Sequence, residues 1–157
     1  MLQDDNHYMD LALKEARRAY ELGEVPIGAI IIDQTGAVVS TGYNRREVDT
    51  DATAHAEIIA IKKACASLKS WRLTDLTIYV TVEPCPMCAG AMVMARLKRL
   101  VYGIPESRTG AAESIFNITD NKALNHRLEV TAGVKADACA AIMQEFFALR
   151  RKIRVNQ

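Results

Sequence analysis

The sequence predicts a mixed α/β fold in which one sheet carries helices on its faces. Helical and strand-like hydrophobic periods alternate from end to end. A β-hairpin precedes strand–helix–strand units, the pattern of a sheet with both antiparallel and parallel pairs. No repeat, low-complexity stretch or linker interrupts the 157 residues, so one domain over residues 1–157 is expected.

Each element has a local reason. Met9, Ala12, Leu13, Ala16 and Tyr20 recur at helical spacing, and Gly23 and Pro26 end that helix. Ile27 to Asp33 and Ala37 to Tyr43 are rich in strand formers, and Gln34-Thr35-Gly36 joins them as a hairpin. Thr53 is a candidate cap for a second helix running through Ile58, Ile61, Ala64 and Cys65 to about Leu68. Leu76 to Val82 reads as a strand. Pro86 opens a third helix, where a missing N–H costs nothing. Leu100 to Ile104 and Arg127 to Val130 are short strands, and Lys135 to Ile153 is a long final helix.

Composition narrows the function classes. Half the residues are apolar and a quarter charged, which excludes a disordered chain or a collagen. No apolar run is long enough to span a membrane. Met1-Leu2-Gln3-Asp4-Asp5-Asn6 is acidic and lacks the apolar core of a secretory signal, so a cytoplasmic protein is expected. The net charge of +1, from 20 basic and 19 acidic residues, argues against a generally basic nucleic-acid binder. Arg150, Arg151, Lys152 and Arg154 still concentrate cations at the end of the last helix, as a solvated helix terminus or as a phosphate contact. Cys65 and Cys139 fall on apolar helical stripes and read as small core residues.

Two segments carry chemistry. One is His55-Ala56-Glu57 at the start of the second helix; the other, thirty positions on, is Pro84-Cys85-Pro86-Met87-Cys88 at a strand–helix junction. Thiols three residues apart share one face of a helix. A helix N-terminus favours their thiolate forms, the species that bind metal. Two thiolates and one imidazole suit zinc and leave a fourth position open, the mark of a catalytic rather than a structural site. Glu57, two residues past His55, points to a different side, where it can trade protons with a water that the metal acidifies to near neutral pKa. This is equipment for hydrolysing a C–N bond at an electron-poor ring carbon. Taken alone, Cys-Pro-x-Cys after a strand also fits a thiol-disulfide redox pair or half of a structural zinc site. Taken together, the two segments match the zinc-deaminase signature H-x-E…P-C-x-x-C.

With these motifs the chain resembles the cytidine/deoxycytidylate deaminase superfamily, and within it the bacterial tRNA-specific adenosine deaminases. The resemblance runs from about Tyr8 to Arg151. It is carried by Val25-Pro26-Ile27-Gly28-Ala29, Thr53-Ala54-His55-Ala56-Glu57 and Val82-Glu83-Pro84-Cys85-Pro86-Met87-Cys88-Ala89-Gly90-Ala91. Thr109-Gly110-Ala111-Ala112, Asn125-His126-Arg127, Phe146-Phe147 and Arg150-Arg151 point to the tRNA-acting branch. It implies a three-layer αβα sandwich around a five-stranded mixed sheet, a homodimer, and hydrolysis of the wobble adenosine of a tRNA anticodon to inosine. Carried over by residue, it implies that His55, Cys85 and Cys88 hold one Zn2+ per chain and that Glu57 shuttles protons. It further implies that Asn44 contacts the flipped base, that Ile27 walls its pocket, and that Asn125, Arg150 and Arg151 meet the anticodon arm. Ala52 and Glu106 depart from the family pattern, which often has proline and aspartate there. Three other functions remain: deamination of a free base such as guanine, a thiol-disulfide oxidoreductase using Cys85 and Cys88, and a non-catalytic zinc-stabilised RNA-binding module.

Overall fold

The computed structural model describes residues 4–156; Met1–Gln3, on which the reading of the N-terminus partly rests, lie outside them. Its elements are α1 (Asp5–Glu21), β1 (Gly28–Ile32), β2 (Val38–Tyr43), α2 (Ala56–Leu68), β3 (Thr77–Val82), α3 (Pro86–Met94), β4 (Arg99–Ile104), β5 (Glu129–Thr131) and α4 (Ala136–Val155). They follow the expected order. The five strands form one sheet in the order β2-β1-β3-β4-β5. β1 is antiparallel to both neighbours, whereas β3, β4 and β5 are parallel.

Alternation along β1 divides the core into two layers. Ala29 and Ile31 face Ala56, Ala60, Ala64, Met92 and Val93 of α2 and α3. Ile30 and Ile32 face Met9 and Ala12 of α1 and Cys139 of α4. The sheet is thus the middle of three layers. Among the described residues no helix is long and apolar enough to cross a membrane.

Glycines set how closely the helices lie. A Cβ on Gly42 of β2 would overlap the Ala56 carbonyl oxygen and the Ala60 nitrogen, so the start of α2 rests directly on the strand backbone. Gly28 of β1 accommodates α1 in the same way. Ser40 adds a hydrogen bond, its hydroxyl donating to the Ala60 carbonyl at 2.7 Å.

Two local readings differ from expectation. Thr53 does not cap α2: its hydroxyl and amide both donate to Asp51 Oδ1, at 2.7 and 2.8 Å, and His55 takes the N-cap position. The last strand lies at Glu129–Thr131 rather than 127–130, because the Leu128 amide donates back to the Thr119 carbonyl and pairing with β4 begins only at Glu129.

At the end of the sheet away from the motifs, Asp5 joins α1 to three strands. It accepts two bonds from Arg99 of β4, at 2.9 and 2.7 Å, and one from the Tyr79 hydroxyl of β3 at 2.7 Å; Arg99 also donates to Thr131 of β5. The Arg99 bonds hold the Asp5 carboxyl below its ordinary value of 3.8, against a smaller opposing effect of burial. A carboxyl depressed by folding contributes stability above its unfolded pKa, and that contribution fades as pH falls through the folded value. Asp5→Asn should therefore cost roughly 1–2 kcal/mol at neutral pH. In denaturant titrations the gap from wild type should close below pH 3.8. A gap that widened in acid would contradict this account.

Candidate active site

Because β1 runs against β3, the start of β1, the end of β2 and the ends of β3 and β4 all lie at one edge of the sheet. Ligands in open α/β sheets gather at such carboxyl ends. The two motifs reach this edge from α2 and α3.

Both helix entries are arranged to free a side chain. His55 is the N-cap of α2 and Cys85 the N-cap of α3, yet neither makes a side-chain capping bond. Cys85 precedes Pro86, which steers it into the extended conformation seen, φ −71° and ψ 172°. The imidazole and the thiol turn instead toward each other, with Cys85 Sγ 3.7 Å from His55 Nδ1. Cys88, fully buried one turn into α3, places its Sγ 3.5 Å from the same nitrogen. The three donor atoms lie within 4.8 Å of one another, which makes a site able to hold a metal ion.

The pKa values of the two thiols move in opposite directions. Its neighbour Cys88 lowers Cys85 despite burial, and His55 adds to the effect. The proximity of Cys85, together with burial and the charge of Glu57, raises Cys88. The bond to Cys85 raises His55. Glu57 is buried on the first turn of α2, and desolvation pushes its carboxyl up to about 7.

His55, Glu57 and Cys85 line a cleft of about 350 Å³, within the size range of small-ligand pockets, and the buried Cys88 lies behind it. Ile27 and Asn44 line it, as do Arg46, Glu106, Arg108 and Thr109. Asn44 is buried; its Nδ2 donates to the Val25 carbonyl at 3.3 Å, and its Oδ1 has no partner among the described residues. Met143 and Phe147, one turn apart on α4, close another side. Sequence reasoning alone misses their place in the cleft, although their i, i+4 spacing marks a common face.

Asn125, Arg150 and Arg151 are exposed and do not line the cleft. Arg150 lies over the Phe146 ring, 5.2 Å from its centroid. His126 Nε2 donates to the Leu97 carbonyl at 2.7 Å, and Arg127 pairs with Asp120. Of the two remaining cysteines, Cys139 is fully buried and Cys65 only partly so.

Residues 3–151 match the family model described as MafB19-like deaminase. The tRNA-specific adenosine deaminase of Haemophilus influenzae is 44% identical over 148 residues, covering 94% of this chain and 86% of the relative. A structure solved in studies of A-to-I editing by tRNA:A34 deaminases at the wobble position superposes with a TM-score of 0.83 at 43% identity, over 87% of this chain and 98% of that one. A guanine deaminase from Bacillus subtilis gives a TM-score of 0.63 at 36% identity, over 73% of this chain and 72% of that one. With its zinc-deaminase motifs gathered in one cleft, and with matches over nearly its whole length, the chain belongs to the tRNA-specific adenosine deaminase family.

Proposed function

We propose that this chain hydrolyses the 6-amino group of the wobble adenosine in a tRNA anticodon, leaving inosine and releasing ammonia. The observation that carries the reading is the meeting of His55, Cys85 and Cys88 at the wall of a cleft that the buried Glu57 also lines. A thiol-disulfide pair would leave Glu57 without a role there. Relatives named for adenosine deamination in tRNA favour this substrate over a free base.

The donor set fits zinc. In a tetrahedral site with bonds of about 2.3 Å to sulfur and 2.05 Å to nitrogen, those ligands are about 3.6 Å apart. The observed separations are 3.7 and 3.5 Å. When bound, zinc supplies a Lewis acid that makes a water molecule a nucleophile at neutral pH. The protein groups do the rest. Glu57 accepts one proton of the attacking water and delivers it to N1 of adenine; it then takes the proton of the hydroxyl added at C6 and hands it to the amine, so that C6 becomes the carbonyl and ammonia leaves. Asn44 Oδ1, buried and without a partner among the described residues, would accept from the base. Ile27 supports an apolar face of the pocket.

In this reading the base enters the cleft flipped from an anticodon loop, whose splayed bases lower the cost of extrusion. α4 runs from Met143 and Phe147 at the cleft to the exposed Arg150 and Arg151, which would meet phosphates, with Asn125 touching the same arm. A cytoplasmic homodimer is part of the same reading. Exposed Met87 and Met94 on α3, and Ile115 and Phe116 beyond it, supply apolar surface for a second copy.

The deciding experiment is ammonia release and inosine formation from an anticodon stem-loop with a wobble adenosine, compared with free adenosine and free guanine. Ammonia from guanine alone would reverse the substrate assignment. Glu57→Ala should lower kcat on the stem-loop by roughly 10²–10⁴-fold with metal content unchanged. Cys88→Ser should behave differently, losing the metal itself by elemental analysis. Neutralising Arg150 and Arg151 should flatten the salt dependence of RNA binding by about 0.7 in log–log slope for each phosphate that no longer meets a cation. An unaltered slope would make them plain surface.

A further inference from the structure

Glu83 is a carboxylate with no part in the chemistry above, yet it is almost wholly buried beside the cleft. It does not face a cation. Its partners are donors from one loop that returns across the sheet edge after β4. Oε1 accepts from the Glu106 amide at 3.0 Å and from the Ser114 hydroxyl. Oε2 accepts from the amides of Ala112, Glu113 and Ser114 at 3.1, 2.8 and 2.9 Å. Charge-assisted bonds of this kind are the strong ones, and consecutive amides around one anion form a nest.

The loop is shaped to the carboxylate. A Cβ on Gly110 would overlap the Glu83 carboxyl group and the Glu106 carbonyl oxygen. The Ala111 amide donates to the Pro84 carbonyl at 2.8 Å, beside Cys85. Between the anchored Glu106 and Ala112 lie Arg108 and Thr109, which with Glu106 form one wall of the cleft. That wall has no strand or helix of its own to hold it.

We propose that Glu83 is a positioning residue whose carboxylate clamps the 106–114 loop as a fixed wall of the substrate cleft and ties that wall to the segment carrying Cys85. The wall rises around the substrate, whereas Glu57, His55 and Cys85 act at the reacting atoms. Loosening it should therefore impair capture more than chemistry. The kinetic part of this inference rests on the deaminase reading; the clamp does not.

The test uses the full chain carrying Glu83→Gln, which keeps the side-chain volume, and Gly110→Ala, which keeps the carboxylate but pushes the loop off it. A glutamine cannot accept at both ends, so either the Glu106 amide or the amides of Ala112, Glu113 and Ser114 lose their acceptor. Both variants should fold and retain wild-type metal content. Hydrogen exchange at the amides of Glu106, Ala112, Glu113 and Ser114 should accelerate locally, with α2 and β3 unaffected. KM for the stem-loop should rise about tenfold in Glu83→Gln while kcat stays within about twofold. Unchanged exchange at these amides in both variants would overturn the clamp. A fall in kcat without a rise in KM would overturn the positioning role and put Glu83 in the chemical step. If the wild-type protein leaves the stem-loop untouched, the deaminase reading fails, and the exchange pattern still decides whether the clamp exists.

Discussion

Two helix entries aimed at one point are the constraint on which the rest depends. α2 and α3 both begin at the edge of the sheet where β3 ends, and the residue at each entry gives up its usual capping role. An N-cap side chain ordinarily satisfies an orphan amide of its own helix. His55 and Cys85 do not, and that release lets an imidazole and a thiol from separate elements come within 3.7 Å. The positive ends of both helices then favour anionic sulfur at the point of convergence. Had either residue capped its own helix, the donors would remain on their elements without forming a site.

The surroundings of this point are held by polar side chains rather than by regular structure. Asp51, at the surface, fixes the turn before α2 by accepting from Thr53. Glu24, which is buried, accepts from the Val48 amide at 2.7 Å and so secures the segment that brings Arg46 to the cleft. Such networks constrain only when every member is satisfied, because an unpaired buried charge or amide is costly. The cleft thus combines a floor set by helix termini with sides set by carboxylate–amide bonds.

How much of this is legible in the sequence follows from how local each cause is. The element order is readable because strand and helix periods are local, and so are the segments around His55 and Cys85, which need only neighbours in the chain. The capping assignment fails because Thr53 has two possible partners, and Asp51, two residues away, is the nearer. The last strand is misplaced by about two residues because three residues carry little pattern. The walls are not legible. Met143, Phe147 and Arg46 reach the cleft only once α4 and the loop after β2 are packed. The groups that bond Glu83 lie 23 to 31 positions away along the chain.

The bare patch of strand at Gly42 has one more effect. With no side chain between them, α2 and β2 meet backbone to backbone where the His55–Glu57 segment begins. Such a junction leaves no soft layer in which the helix can slide or rock, so His55 and Glu57 travel with the sheet as a rigid unit. Warming should then displace His55 and Glu57 only when α2 itself comes away from the sheet.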